Sequence, residues 1–212
     1  IGRLVGSEMC IRDSVYFMLP TILGIPLYQA GYFKLELDPS AHSPAVIALM
    51  FVLYVLGADT WFYFVHRAIH DSRIYRWAHA LHHRYEQPSP LAGFSFAFIE
   101  SFLLGMFTPI VAFFFPLNGV VLLVFVVWFS FMEVYVHLGF EILPRGFARN
   151  PIGKWIGTSV FHNMHHEDGA YNFGVYFTWW DRMLGTIHPQ YVERFEQVTA
   201  EPLIARKEVA AG

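Results

Sequence analysis

The stretch AVIALMFVLYVLGADTWFYFV (residues 45–65), running straight into HRAIH (66–70), decides the fold. An apolar run of about 20 residues is what a helix needs to cross a bilayer. This one ends in two imidazoles four residues apart, which places both on one helical face. Three further apolar segments qualify to differing degrees: Val15 to Phe33, Leu91 to Phe115, which carries Glu100 and Pro109, and Gly119 to Leu138. Composition agrees, with 212 residues that are 55% hydrophobic, 18% aromatic and only 15% charged, and a mean hydropathy of +0.40. Soluble domains seldom look like this. The expectation is an all-α integral membrane protein with four transmembrane helices.

Basic residues gather on the cytoplasmic side of membrane proteins. Arg67, Arg73, Arg76 and Arg84 lie between the second and third segments, and Arg145, Arg149, Lys154, Arg182, Arg194, Arg206 and Lys207 follow the fourth. The opposite loop has Lys34 alone. The cytoplasmic face, of the inner membrane if the source is bacterial, is therefore expected to carry the histidines. IGRLVGSEMCIRDS (1–14) has no helical or strand period and reads as a non-native or disordered leader, ahead of a membrane domain over 15–189 and a solvated, charged tail over 190–212. Cys10 is the single cysteine, so no internal disulfide can form.

Nine of the eleven histidines fall into four knots: His66 and His70; His79, His82 and His83; His137; and His162, His165 and His166. HALHH (79–83) and HNMHH (162–166) repeat one spacing, HxxHH, expected to aim three imidazoles from one helical turn at a shared point. Neutral imidazole suits iron, zinc, copper or nickel, whereas calcium and magnesium prefer oxygen. One ion cannot use eight imidazoles, so two metals are expected. A lone histidine is more often structural than ligating, and His42 and His188, which stand apart, are read that way. Polar residues inside a span are functional candidates. Asp59, Tyr63, His66 and His70 share a stripe, so Asp59 is a candidate to orient an imidazole. Glu133, His137 and Glu141 recur at four-residue steps, and a solvated interfacial position is the competing reading for both glutamates. Glu100 lines a cavity or pairs with a basic residue; the sequence does not choose. Asp181, a lone acid among tryptophans, is a further candidate.

HRAIH, HALHH, VHLGFEILP (136–144), HNMHH and YNFGVYFTWWDRMLGT (171–186), in that order, resemble the fatty acid hydroxylase and sterol desaturase superfamily over roughly 45–189. The resemblance implies a bundle of four transmembrane helices with a cytoplasmic helical cap holding a histidine-rich dimetal site. It implies two iron ions, with zinc as a possible substitute, and O2 as co-substrate for hydroxylating or desaturating a fatty acyl, sterol-like or ether lipid. Matching motif to motif, the implied ligands are His66, His70, His79, His82, His83, His162, His165 and His166. His137 matches a further histidine of the family, and Glu141 stands where some members carry another. No dinucleotide fingerprint or haem-attachment motif is present. Electrons are thus expected from a separate reductase, cytochrome or ferredoxin, and no nucleic-acid partner is expected. The rivals are a carotenoid ring hydroxylase, which shares histidine boxes of this kind, and a non-enzymatic membrane metal-binding or transport protein. An intramembrane zinc protease would need HExxH, and Arg67 occupies the glutamate's place.

Overall fold

The structure, a computed structural model, describes residues 15–16, 18–20, 22–84, 90 and 92–203. The expected leader, 1–14, lies outside the described residues. The regular structure among the described residues is helical apart from a two-residue parallel pair, β1 (Leu35–Glu36) with β2 (Leu117–Asn118), and one bridge between Ile156 and Phe177.

Two long helices form the body. Helix α2 (Pro44–Ile69) begins where the Ser43 hydroxyl accepts from the Val46 amide at 3.4 Å, with Pro44 fixing the first turn. Helix α6 (Gly119–Val136) begins where the Asn118 side chain accepts from the Val120 amide at 2.9 Å. Both are long and apolar enough to cross a membrane. Only 22% and 28% of their apolar windows are buried inside the protein, whereas the core helix of a soluble protein would be mostly covered. Leu49, Val52 and Leu53 of α2 and Leu123, Val126, Val127 and Phe131 of α6 point outward instead. The two helices enclose a core of Val55, Ala58, Phe62, Met132 and Val136, completed by Phe96, Leu104, Val175 and Tyr176.

The other two apolar segments do not form single long helices. The third divides at Met106 into α4 (Phe98–Gly105) and α5 (Phe107–Phe114). Pro109 has no N–H to offer the Gly105 carbonyl, which weakens the helix there. Side chains of α2 bind the divided stretch: Trp61 Nε1 donates to the Leu103 carbonyl at 2.9 Å, and the Tyr54 and Thr108 hydroxyls are 2.8 Å apart. The first segment is helical at intervals over 15–23 and in α1 (Ile25–Gln29), then leaves helix at Gly31 with φ +79°. Between the first and third segments runs an apolar groove of about 460 Å³, lined by Leu23, Leu27, Phe102, Met106, Ile110 and Phe113 among others.

The expectation of a solvated tail from residue 190 is corrected over 191–200. Helix α9 (Tyr191–Ala200) buries Tyr191, Phe195 and Val198 against Ala148, Val160, Phe161 and Met164. The charges of this amphipathic helix had hidden its apolar face, which recurs at three- and four-residue steps.

Candidate metal centre

Three short segments bring the imidazoles together. HRAIH closes α2. HALHH starts at His79, the residue that ends the one-turn helix α3 (Tyr75–Ala78), and continues into a 3-10 turn over His82–Arg84. HNMHH lies within α7 (Ser159–Glu167). The two HxxHH boxes therefore differ in local structure, and neither aims all three rings at one point as the spacing had suggested. On a helix, positions one and five stand about 40° apart, while position four is turned about 100° from position five. Each box accordingly divides. One cluster gathers His66, His70, His79, His83 and His165; the other gathers His82, His137, His162 and His166. HALHH gives its first and fifth rings to the first cluster and its fourth to the second, and HNMHH does the reverse. Both groups have the ligand atoms within 4.8 Å of one another.

The nitrogen chemistry fits a cation. His66 Nδ1 donates to the Phe173 carbonyl at 2.7 Å, and His79 Nδ1 lies 2.8 Å from Glu100 Oε1. With its δ proton engaged by Phe173, the neutral His66 ring presents a bare Nε2 lone pair to His79 Nε2 at 2.9 Å, and a cation between them satisfies both nitrogens. The second cluster repeats this: His137 Nδ1 donates to the Glu133 carbonyl at 2.8 Å, leaving its Nε2 lone pair 2.8 Å from His162 Nε2 and 3.4 Å from His82 Nε2. His165 Nδ1 is held by the Tyr171 carbonyl at 2.6 Å while its Nε2 faces His83 Nε2 at 3.0 Å. Metal–imidazole bonds of about 2.0–2.1 Å put neighbouring ligand nitrogens about 2.9–3.4 Å apart. The observed spacings, 2.8–3.4 Å, match that range. His70 Nε2 is buried with no hydrogen-bond partner, as expected of a donor atom reserved for an ion.

Burial keeps these rings neutral. It pushes His70 down to about 2, helped by the neighbouring His165 and His83, and pushes His83 and His137 down to about 4. Burial followed by imidazole neighbours holds His162, His165 and His166 well below the ordinary histidine value. Neutral imidazole is the ligating form. Two glycines make room for the rings. A Cβ on Gly93 would stand 2.7 Å from His137 Nδ1, and one on Gly169 would stand 2.8 Å from His70 Cε1.

The carboxylates play different parts from those their spacing suggests. Asp59, on the His66 stripe, touches no imidazole. Completely buried, it accepts from the Tyr176 and Phe177 amides at 3.1 Å each and from Trp179 Nε1, pinning the aromatic segment to α2. Asp181, in α8 (Trp179–Leu184), accepts from the Phe173 and Gly174 amides at 2.9 and 2.8 Å and from the Thr186 hydroxyl at 2.7 Å. It thus fixes Phe173, whose carbonyl orients His66. Burial raises the Asp181 carboxyl to about 6, its hydrogen bonds opposing the rise. Glu141 and Glu133 are both buried, so neither is the solvated interfacial residue it could have been. Glu141 accepts from the Leu143 amide at 2.9 Å and from the Val160 amide at 3.2 Å, the latter in the first turn of α7. Glu133 Oε2 lies 3.7 Å from His137 Nδ1. Glu100, whose role the sequence left open, is the carboxylate behind His79. His42 pairs with Glu36, and His188 Nδ1 accepts from the Gln190 amide; both are outside the clusters.

Comparison with known proteins points the same way. The fatty acid hydroxylase family model matches residues 51–186. Lathosterol oxidase of Mus musculus is 31% identical over 86% of this chain and 60% of its own length. Methylsterol monooxygenase 1 of Danio rerio is 32% identical over 84% of this chain and 60% of its own. A Delta(7)-sterol 5(6)-desaturase of Leptosphaeria maculans is 29% identical over 88% and 51%. The chain thus spans between half and two thirds of the length of these relatives. No solved structure matches it. With the family match extending over both histidine clusters, and with relatives above 30% identity along most of its length, the chain belongs to the fatty acid hydroxylase family.

Proposed function

We propose that the chain is a membrane-bound dimetal oxygenase that hydroxylates or desaturates a lipid with O2 and electrons supplied from outside. The observation that carries this reading is the pair of buried clusters in which imidazole lone pairs face one another, at the end of helices whose outer surfaces are apolar. Each cluster would hold one iron: His66, His70, His79, His83 and His165 at the first, His82, His137, His162 and His166 at the second. Zinc could occupy either during overexpression. Iron held there would supply the O2 activation and one-electron steps that no side chain offers.

The chain's own residues have three tasks. Carbonyls of Phe173, Tyr171 and Glu133 and the Glu100 carboxylate hold protons on Nδ1, so that Nε2 is the ligating atom. Asp181 and Asp59 fasten the 173–179 segment over α2. Burial excludes bulk water from the centre. The balance for hydroxylation is R–H, O2, two electrons and two protons giving R–OH and water; for desaturation, the same inputs remove two hydrogens and release two waters. The relatives are named for acting on sterols, so a sterol-like ring body or another bilayer lipid is the substrate class proposed. The groove between the first and third apolar segments suits such a body in chemistry. All four apolar segments are taken to enter the bilayer, with the histidine helices forming a cap on the cytoplasmic side.

Lipid profiling of a host expressing the chain, against the His82→Ala variant, under air and under nitrogen, tests this. A new hydroxylated or unsaturated lipid is expected only with the unaltered chain in air. Equal profiles in all arms would overturn the reading.

A further inference from the structure

The one-turn helix α3 has an inner and an outer side. Inward, the Tyr75 ring lies 5.4 Å from His70, 6.2 Å from His79 and 5.9 Å from His83, centre to centre. Outward, the Arg76 guanidinium sits 4.1 Å over the indole of Trp77, which is 62% exposed, beside an exposed Ile74. Arg73 and Arg84 are exposed nearby in sequence, within three residues of His70 and next to His83. Among the described residues, none of these three arginines has an ion pair. Just before Gly169, which abuts His70, Glu167 is occupied by Arg194 at 3.3 Å, and Asp168 accepts from the Ala170 amide at 3.1 Å. Within the two clusters only His70 and His83 are less than fully buried. Both flank Tyr75. The two half-buried rings therefore neighbour in sequence three exposed arginines, without an ion pair among the described residues, and an exposed indole, with one acid, Asp71, beside them accepting from the Arg73 amide at 2.9 Å.

We propose that this face docks an acidic one-electron carrier protein, and that Tyr75 is the contact through which the electron reaches the first cluster. The proposal rests on the oxygenase reading, which requires two electrons from outside for each O2. Each docking oxidises one carrier by one electron and reduces the metal pair by one, so two dockings complete the supply. Like charges repel competing basic partners, and opposite charges speed the encounter in a salt-dependent way. Arginine with tryptophan is a combination enriched in interface cores. Anionic lipid headgroups would also meet these arginines. A protein partner is favoured because the cations flank the two half-buried ligand rings in sequence rather than lining the lipid-facing sides of α2 and α6.

The test uses the iron-loaded full chain in nanodiscs of neutral phosphatidylcholine, with a reduced acidic [2Fe–2S] ferredoxin as probe. Electron transfer is followed by ferredoxin absorbance in stopped flow. The second-order rate is expected to fall about tenfold or more in R73E/R76E, and to fall as salt rises from low to physiological strength. Trp77→Ala should weaken ferredoxin binding, and Tyr75→Ala should slow transfer within the bound complex while Tyr75→Phe retains it. Rates and binding unchanged in R73E/R76E would overturn the proposal. So would a loss confined to anionic nanodiscs, which would mark the face as a headgroup contact. Reducing equivalents taken up from dithionite separate the two levels of inference. Normal uptake with arginine-independent ferredoxin transfer defeats the docking face alone; no uptake by the iron-loaded chain defeats the oxygenase reading.

Discussion

Glu100 and His79 make contact through buried atoms 2.8 Å apart, so the carboxylate both fixes the ring's tautomer and raises its basicity. Glu100→Gln keeps the shape and removes the charge, and metal affinity at the first cluster is expected to drop about 10–100-fold. Chelator competition with metal analysis measures this, and the second cluster, to which His79 does not belong, should keep its ion. Gly93→Ala is the complementary change: the new methyl would stand 2.7 Å from His137 Nδ1 and 3.0 Å from the Glu133 carbonyl, so the second cluster should lose its metal first. Acidification gives a third expectation. An exposed histidine gains its proton near pH 6.5, but burial holds His83 and His137 to about 4, so protons do not compete with the metal until well below pH 6. Metal affinity of the folded chain should therefore stay level from pH 8 to 6 and fail only as pH drops through the folded values, read by metal retention after equilibration at each pH. Eight of the nine cluster histidines were legible in the sequence because HRAIH and the two HxxHH boxes bunch them, and the lone His137 stood out only by its four-residue steps from Glu133 and to Glu141. Glu100 was not legible, because its partner lies 21 positions away across a stretch with no helical period, and only tertiary packing joins them.

Helix α7, like the HALHH stretch, places imidazoles in both clusters, so its placement bears on both. Thr158 caps it by accepting from the Phe161 amide at 3.1 Å, and Glu141 accepts from the Val160 amide at 3.2 Å, a carboxylate at the positive end of the helix. Thr158→Ala should cost about 1 kcal/mol. Because His162 and His166 face one cluster and His165 the other, the loss should appear as weaker metal retention at both, together with a lower unfolding temperature. A selective loss at one cluster would contradict this account of α7. The identical spacing of HALHH and HNMHH concealed how differently they fold. HNMHH sits in nine residues of capped helix, whereas α3 begins without a side-chain cap and ends at His79, leaving His82 and His83 in a 3-10 turn. Spacing specified which rings could share a face; capping decided which stretch became a helix long enough to present them. Asp59 carries the same lesson, since its helical stripe pointed to His66 while its hydrogen bonds go to the segment that packs across α2.

The whole molecule was legible where apolar length was uninterrupted, in α2 and α6, and less so where proline or glycine breaks the run, at Pro109 and at Gly31. Hydropathy counts residues and does not see a missing N–H or a left-handed turn. The membrane reading makes a demand that a soluble fold would not. Val127 stands at the middle of α6 and is 65% exposed, between Leu123 at 67% and Phe131 at 61%. On a soluble protein, an arginine at such an exposed position changes stability by about 0.5 kcal/mol or less. In the centre of a transmembrane helix it costs about 2.5–3.5 kcal/mol, which is on the order of a hundredfold in the insertion equilibrium. Val127→Arg should therefore shift α6 from the inserted to the uninserted form in a glycosylation-reporter assay and reduce the membrane-retained fraction of the full chain. Arginine at Gly119, at the end of the same helix, should insert nearly as well as the unaltered sequence, because a long basic side chain there reaches the interface. Equal insertion of the Val127 and Gly119 variants would mean that the exposed apolar belt of α6 faces something other than lipid.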